Sequence, residues 1–298
     1  MIDQDNHYIN SSVTPNPSGA ATDTLHKAEI NGTIYEVESY KTNPVMTGSV
    51  SVNRKASTPV GSESATFGED CIASGNYSFA SGRETIASGN GSHAVGEITQ
   101  ASGLYAWSAG TGTIASGNYS NAWGQDSKAL GNVSHAEGDT CQSIGVASHA
   151  EGYHTLATQQ AAHAEGSNTG AHGTNSHAEG YSTTAGDYAS HAEGHTTVAG
   201  AAQAHAEGYG TKAMSINQHV QGKYNILDPN NTYADIVGNG YDDSDRSNAY
   251  TLDWYGNGVY AGNVTATDII SSTNWDGTNT SLKDTITALI SRIAALES

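Results

Sequence analysis

Histidine and glutamate recur together through the middle of the chain at a fixed interval. "SHAEG" stands at 134–138, 148–152, 176–180 and 190–194, and "AHAEG" fills the same slot at 162–166 and 204–208. The imidazoles belong to His93, His135, His149, His163, His177, His191, His205 and His219; Glu137, Glu151, Glu165, Glu179, Glu193 and Glu207 each precede a glycine. Three chemistries use these residue types: an acid/base pair, a metal site, and a column of hydrogen bonds and ion pairs. Acid/base catalysis needs one differentiated pair in a pocket, because two roles require two environments. A pair duplicated at constant spacing offers many equivalent copies on a flat side, so no catalytic residue is assigned and the protein is read as a non-enzyme. Imidazole ligates transition ions well, and three histidines from three chains around an axis would suffice. Spacing alone does not aim rings at an axis, so no metal and no other cofactor is assigned. The reading adopted is a structural ladder in which His135, His149, His163, His177, His191 and His205 and the six glutamates bridge rungs and neighbouring chains. Carboxylates beside imidazoles favour the charged ring, so raised His pKa values are expected.

The interval comes from glycine. Gly68, Gly82, Gly96 and every fourteenth residue to Gly222 form an unbroken first series. A second series lies midway at Gly75, Gly89, Gly103, Gly117, Gly131, Gly145 and Gly173, with Gln159, Asp187, Ala201 and Ser215 as departures. Alanine stands two residues before most of these positions and a small residue four before, giving small-x-Ala-x-Gly. The step of seven is no helical heptad, because the spacers are Gly, Ser, Thr and Asn, all weak helix formers. In a strand the alternation puts the small residues on one face and the two x residues on the other. Two five-residue strands and two tight corners per 14 residues make a parallel β-solenoid, with glycine expected at positive φ in each corner. Eleven steps from Gly68 to Gly222 correspond to a rod of roughly 50 Å. Cys71 and Cys141 both occupy the small slot, five turns and about 24 Å apart. They are expected as buried thiols in place of Thr. The outward column holds Phe67, Phe79, Val95, Trp107 and Trp123 before it becomes His and Glu. A face that accepts all of these is placed at a contact between chains.

This repeat over residues 61 to 222 resembles the YadA-like head repeat of trimeric autotransporter adhesins. The resemblance implies a left-handed parallel β-roll that assembles as a homotrimer. Family members often carry aliphatic residues where this chain has His and Glu. The expected fold class is thus all-β: a trimeric left-handed parallel β-roll of 14-residue turns flanked by small β domains, with a short C-terminal trimeric coiled coil.

Residues 1 to 60 are expected to form a small β attachment region, with Asn31-Gly32 in "AEINGTIYEV" as a hairpin turn. This segment, and "YADIVGNGYDDSDRSNAYTLDWYGNGVYAGNVTATD" at 233 to 268, resemble parts of tail-fibre proteins of phages and prophages. Residues 223 to 268 read as a neck domain containing a hairpin around Gly256-Asn257-Gly258, with Trp254 and Tyr260 expected in its packed β core rather than as a sugar platform. Residues 269 to 298 combine a linker with a seam of Leu282, Ile286, Leu289, Ile293 and Leu296 at coiled-coil spacing. So short a coil is unstable alone, and its trimeric register is implied by the resemblance.

Composition narrows the function. Hydrophobic residues make up 36% of 298, with two Phe and 35 Gly, too little for a thick mixed core. Eleven Lys plus Arg against 30 Asp plus Glu, a formal charge of −19, excludes nucleic acid as a partner and opposes anionic membranes. No apolar run spans a bilayer, and the opening "MIDQDNHYIN" lacks the features of a secretory signal. The expectation is synthesis in the bacterial cytoplasm and assembly onto a virion tail or tail-like particle. The N-terminal region would meet a tail or baseplate protein, and the rod a bacterial surface glycan or protein receptor. Candidate receptor contacts are the corner tyrosines Tyr153, Tyr181 and Tyr209, spaced by 28, with Tyr77, Tyr105 and Tyr119. The alternatives are a trimeric surface adhesin on a cell and a polysaccharide-degrading enzyme on a β-solenoid. Ice binding is set aside because the Thr column faces inward.

Overall fold

The computed structural model describes residues 25–30, 33–38, 49–262, 287 and 289–293. Strands Leu25–Ile30 and Thr33–Glu38 pair antiparallel, with Ile30 opposite Thr33. This is the hairpin expected around Asn31-Gly32; those two residues lie outside the described ones. All other strands among the described residues belong to one continuous sheet system of 26 strands.

Its body is a parallel β-solenoid. Five-residue strands such as His135–Asp139 pair in register with the strand 14 residues on, His149–Tyr153. On the other side lie two-residue strands such as Ile86–Ala87 and Gln100–Ala101. The second strand of each turn is thus shorter than the five residues expected. The chain bends there already at the second-series glycine: the N–H groups of Ser88 and Gly89 both donate to the Ala101 carbonyl, at 2.9 and 3.3 Å. The stack begins at Val50–Arg54, which pairs parallel with Ala65–Ala73. It ends at Tyr233–Asn239, which pairs parallel with His219–Lys223 and antiparallel with Asn248–Asp253.

The interior is a column of small side chains. The alanines two before glycine, from Ala73 to Ala213, are buried, as are the Ser, Thr and Cys residues four before. Serine and threonine divide by chemistry. Ser78, Ser120, Ser134, Ser148 and Ser176 each donate Oγ to the second-series glycine carbonyl three residues earlier, at 2.6–2.7 Å. On the opposite side the hydroxyls of Thr99, Thr155, Thr169, Thr183 and Thr197 are buried without a partner, whereas Thr85 donates to Cys71 Sγ at 3.1 Å and Thr211 to the Glu207 carbonyl at 3.0 Å. Cys71 and Cys141 are buried and free, each thiol donating to a glycine carbonyl on the next rung, Gly82 at 3.3 Å and Gly152 at 3.2 Å.

Glycine serves two purposes. First-series glycines have φ between +89° and +130°, and a Cβ on Gly180 would lie 2.2 Å from the Gly194 oxygen. Second-series glycines, contrary to expectation, are not at positive φ. They are needed for close approach, a Cβ on Gly117 meeting the Gly131 oxygen at 1.8 Å. The left-handed residue at each corner stands two after glycine and is mostly not glycine: Tyr77, Glu84, Ile98, Tyr105 and Tyr119 have φ of 52–59°. Such a residue costs about 1–2 kcal/mol. The compensation is a bond to the rung before, as when Tyr105 N–H donates to the Asn90 carbonyl at 2.9 Å. Asparagine after the second-series glycine adds a side-chain ladder, with Asn118 N–H donating to Asn132 Oδ1 at 2.9 Å.

The C-terminal end carries larger buried groups. Gln218, Val220, Asn225 and Ile236 are buried, and Gln218 Nε2 donates to Asp228 Oδ2 and the Tyr233 carbonyl, both at 3.1 Å. Strands Asn248–Asp253 and Gly258–Tyr260 form the predicted hairpin. Trp254 and Tyr260 do not pack into a core as expected: within the chain they are 45% and 58% exposed. The hairpin extends the sheet edge-to-edge past His219–Lys223, and among the described residues no second apolar layer buries their rings. Trp254 Nε1 donates to the Asn231 carbonyl, and Tyr260 tilts on Tyr250 at 4.7 Å.

Candidate functional site

Register makes the site. Because each five-residue strand repeats at 14 residues in parallel pairing, position three before glycine stacks on itself, and so does the position before glycine. His135, His149, His163, His177, His191 and His205 form a column of nearly parallel rings, with centroids 4.6–4.8 Å apart and planes within 10°. That spacing is the separation of hydrogen-bonded strands. Beside it run Glu137, Glu151, Glu165, Glu179, Glu193 and Glu207. The His Nε2 to Glu oxygen distances are 3.4 Å at His135–Glu137, 3.5 Å at His149–Glu151 and 3.9 Å at His163–Glu165. From His177 onward the nearest carboxylate belongs to the rung before: Glu165 at 3.8 Å, then Glu179 for His191 at 3.9 Å and Glu193 for His205 at 3.5 Å. All exceed hydrogen-bond length. The six Nε2 atoms are buried without a hydrogen-bond partner, although the rings themselves remain about one third exposed. Register brings the two columns together, but without the hydrogen bonds between His and Glu expected of a ladder; the last member, His219, has Asp235 at 3.0 Å from Nδ1. Asp235 lies outside the repeat register, so spacing gave no signal for it.

The expected rise in imidazole pKa is reversed. Burial between stacked neighbours, together with the adjacent imidazoles, lowers the pKa of His149, His177 and His191; the glutamates oppose this less strongly. Rings packed at 4.8 Å would repel one another if both were protonated, which disfavours the charged form. The carboxylates share protons along their own column. Glu179 is pushed up to about 7, chiefly by hydrogen bonding to Glu165 and Glu193, and these two are correspondingly lowered. Glu151 is raised by burial and then by its bond to Glu165.

Upstream the same face is aromatic. Phe67, Phe79, His93 and Trp107 follow one another with centroids 5.8–6.1 Å apart, and Trp123 meets His135 edge-on at 5.1 Å. Where the two chemistries join, Trp123, Glu137 and Glu151 border an open groove of about 500 Å³ floored by first-series glycines.

The candidate tyrosines fall on two lines. Tyr153, Tyr181 and Tyr209 end the five-residue strands and are about half exposed. His195 joins them: it stacks on Tyr181 at 4.8 Å and tilts against Tyr209 at 4.7 Å, and Tyr209 meets Tyr224 edge-on at 5.1 Å. His195 and Tyr224 were not among the sequence candidates, although His195 occupies the residue slot after glycine that holds Tyr181 and Tyr209. Tyr77, Tyr105 and Tyr119 occupy left-handed corners and are exposed, with Tyr105 stacked on Tyr119 at 5.7 Å. Of the coiled-coil seam, Leu289 and Ile293 lie in a short helical stretch with exposed side chains. Leu282, Ile286 and Leu296 lie outside the described residues.

No family model matches the chain, and a search of curated proteins finds no match either.

Proposed function

We propose that the chain is a receptor-binding tail fibre of a phage or phage-tail-like particle, a homotrimeric rod that holds a binding surface away from a large body. One observation carries this reading: an unbroken solenoid presents, along one side, a continuous column of Phe, Trp and His rings left partly open within a single chain. Monomeric proteins rarely expose an apolar stripe of that extent. Phe67 and Trp107 are 42% and 47% exposed, and six imidazole nitrogens beside them lack partners. Two further copies around a threefold axis would cover the stripe, as in the YadA-like heads the repeat resembles. The roll would then be left-handed and the seam at 282–296 would close as a trimeric coil. The N-terminal region would join the particle and the exposed tyrosines would face a bacterial surface glycan or protein, weak contacts gaining strength by multiplicity.

Sedimentation of the full chain should give three times the monomer mass, and electron micrographs of the native particle should show the protein on a tail. A lone subunit in solution removes the trimer; label on a cell envelope instead of a tail replaces the fibre with an adhesin.

A further inference from the structure

The spacing of the donor atoms in the His/Glu column fits a charge that neither residue supplies. Among the described residues, five groups each place one imidazole nitrogen and two carboxylate oxygens within 4.8 Å of one another: Glu137–His149–Glu151, and the four triads that follow at 14-residue steps to Glu193–His205–Glu207. Their His–Glu separations of 3.5–3.9 Å are too long for hydrogen bonds. Two donors each about 2.0–2.2 Å from a tetrahedral ion are about 3.3–3.6 Å apart; the 3.5 Å gaps at His149 and His205 fall in that range and the 3.8 Å gap at His177 lies just above it. The imidazole nitrogens facing these gaps are buried and unpartnered. One imidazole and two carboxylates are a donor set such ions accept, with a fourth place left for water.

We propose that this column is a row of divalent transition-metal sites, each made of one histidine and its two flanking glutamates, filled at every second rung. Alternation follows from charge: two carboxylates neutralise one divalent ion, and a carboxylate that faces two histidines through its two oxygens, as Glu165 faces His163 and His177, neutralises two ions only by halves. Adjacent triads use the same carboxylate, as Glu151 serves both His149 and His163, and ions in neighbouring rungs would stand only about one strand spacing, 4.8 Å, apart. Three of the five triads, those of His149, His177 and His205, share no residue with one another. Each chain therefore takes three ions, on its own donors. The proposal does not rest on the fibre reading, because no donor comes from another copy.

Zinc chloride titrated calorimetrically into the full, untagged chain near neutral pH is the test, with circular dichroism to confirm that each variant is folded. The expected stoichiometry is three per chain, falling to two in His177→Gln and staying at three in His163→Gln. In the wild type, nitrogen-15 spectra should show zinc-dependent shifts at Nε2 of His149, His177 and His205, a readout that needs no variant. Five ions per chain, a stoichiometry indifferent to His177→Gln, or Nε2 signals that zinc leaves in place would each overturn the assignment.

Discussion

The aromatic stretch of the outward column, Phe67 to Trp123, and the imidazole stretch, His135 to His219, sit on one backbone. Trp107 pairs in register with Asn121, Asn121 with His135, and His135 with His149, with no shift where the chemistry changes. Beneath both stretches lies the same buried column of Ala, Ser and Thr. The comparison separates two kinds of information. Glycine and the small inward residues specify the stack, while the outward column is free to vary its chemistry from ring stacking to charge. If so, disturbing the inward pattern should cost the same in either half, and disturbing the outward one should not.

The largest effects are expected at first-series glycine. Gly82→Ala in the aromatic half and Gly180→Ala in the imidazole half both combine φ above +100° with a Cβ within about 2 Å of the next glycine oxygen. Each should lower stability by about 3 kcal/mol or more, read as the midpoint of chemical denaturation. Gly186→Ala is the control: its φ is not positive and its new Cβ would lie 3.6 Å from the nearest atom, so the midpoint should hardly move. A large difference between Gly82→Ala and Gly180→Ala would break the comparison. Second-series glycines are a milder case, since the chain itself places Gln159, Asp187 and Ala201 there.

One step smaller is overpacking of the interior. Ala94→Val and Ala178→Val add two methyl groups to fully buried sites in the two halves. The cost should be about 1–3 kcal/mol and alike in both. Unequal losses, beyond about 1 kcal/mol apart, would show that the outward column also determines how tightly the rungs close.

Acidity should separate the halves. His149, His177 and His191 have folded pKa values below their unfolded ones, so the unfolded chain takes up protons first. Their effect is absent above about pH 6.5 and appears as a loss of stability when pH falls through that value. Glu179, raised to about 7, acts in the opposite sense: stability is lost as pH rises from its unfolded value of 4.5 toward 7. Glu179→Gln removes the second effect, together with the lowering of Glu165 and Glu193, which acts at and below pH 4.5. Its denaturation midpoint should climb more steeply than the wild type's between pH 5 and 7, by no more than about 1 kcal/mol across the window given the exposure of the site. Trp107→Leu should leave the wild-type slope unchanged. An unaltered slope in Glu179→Gln would mean that the carboxylates titrate independently.

The solenoid was legible because its determinants are periodic. Fourteen-residue glycine spacing, the inward Ala and the Thr and Cys slots all describe the backbone's own repeat, and the parallel register of His on His followed from it. The His/Glu columns were legible for the same reason, but their charge state was not. The sign of the pKa shift depends on ring separation and burial, which distances supply and spacing does not. Corner geometry was also hidden: the left-handed residue is two past glycine and can be Tyr, Glu or Ile, so composition does not mark it. At the C-terminal end the repeat stops, and Asp228, Asp235 and the exposed Trp254 take positions set by tertiary contacts alone.

The smallest effect on stability should come from the tyrosines, and it sharpens the comparison most where function is concerned. Tyr77, Tyr105 and Tyr119 decorate the aromatic half, Tyr153, Tyr181 and Tyr209 the imidazole half. All six are about half exposed or more, so replacing either set with Ala should change stability by only about 0.5 kcal/mol per site. The two sets differ in continuity. His195 fills the rung between Tyr181 and Tyr209 and, with Tyr224, gives four successive rungs of rings 4.7–5.1 Å apart, Ser167 separating Tyr153 from them, whereas upstream the run is the Tyr105–Tyr119 pair, Gly91 separating Tyr77. A continuous platform can meet successive units of an extended ligand, so each lost ring weakens a shared contact. If the rod binds a cell-surface receptor as proposed, adherence of the purified protein to such cells should therefore fall by about tenfold or more when Tyr153, Tyr181 and Tyr209 become Ala, equivalent to about 1.4 kcal/mol. The upstream triple replacement should leave it within about twofold, a difference under about 0.5 kcal/mol. Equal adherence in both variants would place the receptor contact away from the tyrosines, and a loss confined to the upstream set would assign it to the aromatic half.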